Sequence, residues 1–243
     1  MLLLYTHTNT HKLCTIKSNV ILTRNFWCNK LKADQRIGPH SEEIYSCIIG
    51  NVLGDGHLEY RSGSTRLTLH LGLPNREYIA WLHNLYVTNG YCTNKELVFK
   101  KQIGKNNKIH FATKIKTYSF KSFNWLHELF YKPQYNDNNE FVCYKKIIPN
   151  NIGEYLNPRA IAIWIMDDGS RQNSGIYLHT NSFTLEENMV LQKVFLEKYN
   201  IKTTLNKRGN NYAIYFPKKE AHLLRQLVEP YMHKSMLYKI QDL

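Results

Sequence analysis

The sequence predicts an α+β fold made of two related halves, each with the order α-β-β-α-β-β-α, packed about a pseudo-twofold axis. Three observations lead there. Two apolar runs end alike on Asp-Gly, Ile48-Ile49-Gly50-Asn51-Val52-Leu53-Gly54-Asp55-Gly56 and Ile161-Ala162-Ile163-Trp164-Ile165-Met166-Asp167-Asp168-Gly169. Each run is followed by a polar, strand-like stretch and then by the same succession of helical and alternating segments, the mark of a duplicated unit. The exits also correspond, Pro133 with Tyr144-Lys145-Lys146-Ile147 in one half and Pro230 with Tyr238-Lys239-Ile240 in the other.

In the first half, Ser41 ahead of Glu42-Glu43-Ile44 is a good N-cap for a helix running to Asp55. Gly50 and Gly54, four apart, share a helix face and let a second backbone approach, expected at Ala162 of the other run. Residues 65–73 alternate, with Leu67, Leu69 and Leu71 on one face and Arg66, Thr68 and His70 on the other, which predicts a half-buried strand. Ile79, Leu82, Leu85 and Tyr86 form a helical stripe over residues 77–87. Strands are expected at 96–102 and 109–120 around the turn at Gly104-Lys105-Asn106-Asn107, then a helix at 123–130.

The second half repeats the order. Its helix at 161–168 leads to a strand at 176–181, with Tyr177 and His179 on the polar face. Thr184-Leu185-Glu186-Glu187 is a capping-box pattern that opens the next helix. Strands at 202–206 and 212–216 flank the turn Lys207-Arg208-Gly209-Asn210, and a helix at 219–228 follows. The expected division is a leader at 1–40, a first repeat at 41–132, an Asn/Pro-rich connector at 133–158 and a second repeat at 159–243.

The chain has 243 residues, with 32 Lys+Arg against 19 Asp+Glu, a formal charge of +13. Such an excess, dispersed along the chain, calls for a polyanionic partner, nucleic acid before a membrane surface. No apolar run is long enough to span a bilayer. Five cysteines without a C-x-x-C pair argue against a zinc site or disulfide framework. The leader, with Lys12, Lys17, Arg24, Lys30 and Lys32 and no acid before Asp34, has the composition of a mitochondrial transit peptide; an unfolded leader is the alternative.

A carboxylate at a helix C-terminus faces the negative end of the helix dipole, at a cost of a few tenths to about 1 kcal/mol. Asp-Gly after one apolar run is an ordinary turn signal. The same disfavoured placement at matching points of two halves marks a site. Packed about the axis, Asp55 and Asp168 meet, and two neighbouring carboxylates call for a cation between them. With Mg²⁺ there, the pair suits phosphodiester hydrolysis. The candidates for a nucleic-acid face are Arg61, Arg66, Thr68, His70, Lys114, Lys116, Tyr177, His179, Lys202, Lys207 and Arg208.

These residues resemble the LAGLIDADG homing endonucleases in their single-chain, two-motif form. Lys145-Lys146-Ile147-Ile148-Pro149-Asn150-Asn151, residues 162–169, Asn181-Ser182-Phe183-Thr184-Leu185-Glu186-Glu187 and Arg36-Ile37-Gly38-Pro39-His40 are similar to organellar-intron members, and the likeness spans residues 36–240. The resemblance implies a monomeric, Mg²⁺-dependent double-strand DNA endonuclease, with Mn²⁺ able to substitute. Its target would be long and asymmetric, cut across the minor groove to leave short 3′ overhangs. It also implies metal ligation by Asp55 and Asp168 with the Gly54 and Asp167 carbonyls, and catalytic support from Lys146 and Lys239. Ile163 stands where the motif has a glycine, leaving Ala162 as the small residue. The rival expectation is an RNA maturase for its own intron; a DNA-binding protein without cleavage is third. The expected location is the mitochondrion, with a plastid as the alternative.

Overall fold

The structure, a computed structural model, describes residues 31–104 and 107–241. In the first half, Ser41 Oγ accepts the Ile44 N–H and opens α1 (Glu42–Leu53), whose first turn carries Glu42 and Glu43 at the positive end of the dipole. Strands β1 (Gly56–Arg61) and β2 (Ser64–Gly72), helix α2 (Arg76–Thr88), strands β3 (Lys100–Ile103) and β4 (Ile109–Lys116) and helix α3 (Asn124–Phe130) follow. The sheet order is β1-β2-β4-β3, antiparallel throughout. The third strand is shorter than expected and starts at Lys100, pairing only with the N-terminal part of β4.

A hairpin and a single helical turn occupy the connector region. Strands β5 (Tyr131–Tyr135) and β6 (Phe141–Lys146) form an antiparallel hairpin, and Ile152–Tyr155 forms a single turn, α4. The second half then holds α5 (Pro158–Asp168), β7 (Gly169–Gln172), β8 (Gly175–Leu178), α6 (Leu185–Tyr199), β9 (Thr204–Arg208), β10 (Asn211–Phe216) and α7 (Lys218–Val228). Its sheet order, β7-β8-β10-β9, reproduces that of the first half. The capping box opens α6: Thr184 Oγ accepts from the Glu187 N–H, and Glu187 Oε2 accepts from the Thr184 N–H.

Helices α1 and α5 are apolar nearly all round and buried against each other at the centre. A Cβ on Gly50 would lie 2.5 Å from the Ala160 carbonyl oxygen and 2.6 Å from Ile163 Cβ, and one on Gly54 would lie 2.6 Å from Asp167 Cβ. The close approach is therefore at Ala160, Ile163 and Asp167 rather than at Ala162. Leu67, Leu69 and Leu71 turn inward from β2, and Leu178 and Ile214 from the second sheet. The outer sheet faces are left to polar side chains.

Residues 1–30 of the expected leader lie outside the described residues. Its last part joins the body. The Ala33 carbonyl accepts from the Lys121 N–H, and the Arg36 guanidinium donates to the Ser119 carbonyl and lies over the Tyr118 ring. His40 sits between the Tyr91 hydroxyl at 2.6 Å and Ser122 Oγ at 2.8 Å. An exclusion of everything before Ser41 from the core is thus too wide. No helix among the described residues is long and apolar enough to cross a membrane.

Candidate active site

Gly54 closes α1 and Asp55 stands immediately beyond it, whereas Asp168 is the last residue of α5. Because the helices pack through Gly50 and Gly54, their C-terminal ends converge and the two carboxylates feel each other. Asp168 is pushed up to about 6, first by loss of hydration and then by the negative charge of Asp55, against the pull of Lys146 and Lys239. Asp55 is also raised, again chiefly by desolvation, with Lys239, Lys146 and His70 acting the other way. Asp55 is the more exposed of the two and Asp168 is half-buried, in keeping with the larger shift at Asp168.

The two lysines occupy matching posts. Lys146, the last residue of β6, donates to the Gly54 carbonyl at 3.3 Å and the Gly56 carbonyl at 2.8 Å. Lys239 donates to the carbonyls of Ile165, Met166 and Asp167 at 3.1, 2.6 and 3.2 Å. Each ammonium thus bonds carbonyls at or just beyond a helix end, and offsets the negative end of the dipole. Burial lowers both lysine pKa values, and the aspartates partly restore them.

Asp167 has a different part. Its Oδ2 accepts from Asn51 Nδ2 at 2.8 Å and its Oδ1 from the Tyr78 hydroxyl at 2.7 Å, both in the first half. Tyr86 donates to Asn51 Oδ1, which fixes the amide orientation. Only its backbone carbonyl faces the centre, where it receives Lys239. Burial pushes the Asp167 carboxyl up to about 8, although the Asn51 and Tyr78 bonds pull it down.

The donor set fits a hard divalent cation. Two carboxylates converge, Asp168 is raised by burial and then by the charge of Asp55 despite two nearby ammonium groups, and the Gly54 and Asp167 carbonyls adjoin them. Those carbonyls form the longest bonds of their lysines and keep a free lone pair. Among the described residues no group of three or more His, Cys, Asp or Glu side chains gathers into a closed cage. A two-carboxylate centre suits Mg²⁺, which keeps several waters and shares substrate oxygens.

Strand register sorts the candidate nucleic-acid residues. His57, Glu59 and Arg61 pair with Thr68, Arg66 and Ser64, and Thr68 and His70 pair with Lys116 and Lys114, so these side chains share the outer face of the first sheet. Arg66 is held by Glu59 through two bonds of 2.8 Å, which ties its guanidinium to the protein. His70 meets Gln102 at 2.8 Å, and Gln102 meets His110 at 3.1 Å, extending the polar face across β3 and β4. On the second sheet, Tyr177 pairs with Ser170 and Tyr215, and Arg208 lies over the Tyr177 ring at 4.4 Å and bonds Gln172. His179 meets Ser170 Oγ at 2.8 Å. Lys207 alternates to the opposite side from Arg208, the side of Leu205. Lys202 precedes β9, with its backbone N–H bonded to Glu220 of α7. The structure therefore gathers Arg61, Arg66, Thr68, His70, Lys114 and Lys116 on one outer face and Tyr177, His179 and Arg208 on the other, and leaves Lys202 and Lys207 aside.

No functional part was expected for Asn51, Tyr78, Tyr86, His57, Tyr131, Gln102 or His110. Asn51 alone carried a signal, as a polar residue inside an apolar helical run and four before Asp55.

Two packed helices with converging terminal aspartates, under two duplicated sheets with polar outer faces, define a LAGLIDADG-type protein. The model of the LAGLIDADG DNA endonuclease family matches residues 45–224, and the chain belongs to that family. Cytochrome b mRNA maturase bI2 of Saccharomyces cerevisiae is 36% identical, over 87% of this chain and 50% of the relative. The protein of the same name in Debaryomyces hansenii is 32% identical, over 98% of this chain and 96% of the relative. This chain thus spans half the length of the first relative and nearly all of the second. A solved structure, the homing endonuclease I-WcaI bound to its DNA recognition sequence, superposes with a TM-score of 0.72 at 25% identity, covering 86% of this chain and 90% of that one.

Proposed function

We propose that this chain is a site-specific, Mg²⁺-dependent double-strand DNA homing endonuclease, encoded by an intron and acting as a monomer. The observation that carries the reading is the meeting of Asp55 and Asp168 at the ends of two packed helices, each end held by a lysine ammonium. The family and the DNA-bound relative I-WcaI support it.

Asp55 and Asp168 would hold the cation, with the Gly54 and Asp167 carbonyls beside them. Bound there, a divalent cation supplies an activated water and charge stabilisation for phosphodiester hydrolysis. Lys146 and Lys239 hold the helix ends in place and set positive charge next to the phosphate. Arg61, Lys114, Lys116 and Arg208 contact the backbone, and His70, His179, Tyr177 and Thr68 lie where base edges pass. The two sheets differ residue by residue, so a monomer would read an asymmetric site.

A second reading has its own support, since two relatives are named cytochrome b mRNA maturases. On that reading the chain also binds its intron RNA and helps it splice. The cytochrome b mRNA maturases of yeasts among the relatives likewise favour a mitochondrial location. The test is incubation of the chain with a randomised duplex library, with Mg²⁺ and with chelator. The expected result is a defined set of duplexes cut only in Mg²⁺; intron RNA bound and no duplex cut would leave the maturase reading alone.

A further inference from the structure

We infer that His57 is a phosphate-contacting residue of the first half only, so that the two strands of a duplex are cut by chemically unequal halves. The inference rests on the endonuclease reading above.

His57 and Ser170 hold the same place in the two repeats, two residues after Asp55 and Asp168 and on the outer face of the first strand of each sheet. Their wiring differs. The Tyr131 hydroxyl accepts the Leu58 N–H at 3.0 Å and lies 3.1 Å from His57 Nδ1. The one phenol proton has no other acceptor among the described residues, so it goes to Nδ1. The imidazole is thereby fixed with Nδ1 as acceptor and its own proton on Nε2. Nε2 has no protein partner among the described residues, and His57 is exposed. The support is stiff: Tyr131 is buried, meets the His57 ring edge-on, and stacks on His127 at 4.8 Å with planes 5° apart.

In the second half the corresponding groups satisfy each other, Ser170 Oγ with His179 Nε2 at 2.8 Å. The first-half counterpart of His179 is His70, which is turned to Gln102 instead. Among the described residues only the first half therefore presents a fixed imidazole N–H donor on the outer strand face two residues after its aspartate. A fixed donor directed at a phosphate oxygen favours the negative charge that builds there during displacement, at little reorganisation cost.

The test uses the full chain and a duplex selected from a randomised library by wild-type cleavage, each strand carrying its own fluorophore, under single-turnover conditions in Mg²⁺. His57→Ala is expected to slow one strand roughly 10- to 100-fold and leave the other and the duplex affinity nearly unchanged. His57→Gln, which keeps an N–H donor, should recover most of the lost rate. Tyr131→Phe should slow the same strand, and Ser170→Ala should not. Where Tyr131→Phe lowers the thermal midpoint, the two His57 variants decide. Equal slowing of both strands by His57→Ala, or of neither, would overturn the inference. A wild-type chain that selects no cleavable duplex would instead overturn the endonuclease reading, and this inference with it.

Discussion

The Asp167 carboxyl crosses from the second half to Asn51 and Tyr78 of the first through space that Gly54 leaves open. The pair Asp55 and Asp168 was legible in the sequence because it breaks a local rule twice in register. Asp167 was legible only as a carbonyl, since no spacing along the chain says that a side chain will bond across an interface. Its burial has a consequence for stability. In the metal-free protein Asp168 is raised to about 6 and Asp167 to about 8, both from 3.8. A carboxyl with a raised folded pKa holds more protons folded than unfolded, so stability falls as pH rises through these values. The contribution of the two groups is therefore greatest below about pH 4 and is lost progressively above it, the share of Asp168 by about 6 and that of Asp167 by about 8. Asp167→Asn keeps the shape and removes the upper step. Thermal midpoints in chelator should drop less between pH 6 and 8 for Asp167→Asn than for wild type; parallel curves would contradict the assignment.

At the scale of elements, the helix pair depends on two glycines. Even a methyl group at Gly50 meets the Ala160 carbonyl and Ile163 Cβ at distances no relaxed contact has. Gly50→Ala should cost about 1–3 kcal/mol by overpacking, and should lower cleavage further by moving Asp55 relative to Asp168. Gly63 is a poor control: a Cβ there meets nothing, but its φ of 74° penalises any side chain, by roughly 1–2 kcal/mol. Gly72, with Pro74 Cδ at 3.5 Å and ordinary backbone, is the better one, and Gly72→Ala should be nearly neutral. Equal midpoints for Gly50→Ala and Gly72→Ala would mean the helices do not pack as described. Alternation in the sequence placed Leu67, Leu69 and Leu71 correctly because period two survives in regular strands. Lys207, expected in a turn, lies in β9, which runs two residues further than expected and sets Lys207 with Leu205 and Arg208 on the other side. The β5–β6 hairpin escaped notice because Pro133 and the run Asn136-Asp137-Asn138-Asn139 look like a linker. A two-stranded ribbon has only edges, so it tolerates the proline.

At the scale of the whole molecule, duplication made the fold readable: each half confirmed the other, and the order of strands in the two sheets is the same. The N-terminal boundary was not readable, because the contacts of Arg36 and His40 join residues 82 to 83 positions away for which the chain gives no local cue. A chain beginning at residue 41 should therefore melt below one beginning at residue 31; identical midpoints would show that residues 33–40 add nothing. The charge of +13, distributed over two sheet faces, predicts that duplex affinity falls steeply with salt as several phosphate contacts release counterions. A flat plot of log K against log salt would assign the charge elsewhere. The two-aspartate centre is tested by comparing wild type with Asp55→Asn and Asp168→Asn, measuring Mg²⁺-dependent cleavage and binding of one selected duplex in the same samples. Wild type should cut; each variant should lose cleavage while binding as tightly or more tightly, since a negative charge near phosphate has gone. Wild-type cutting by either variant would contradict the account.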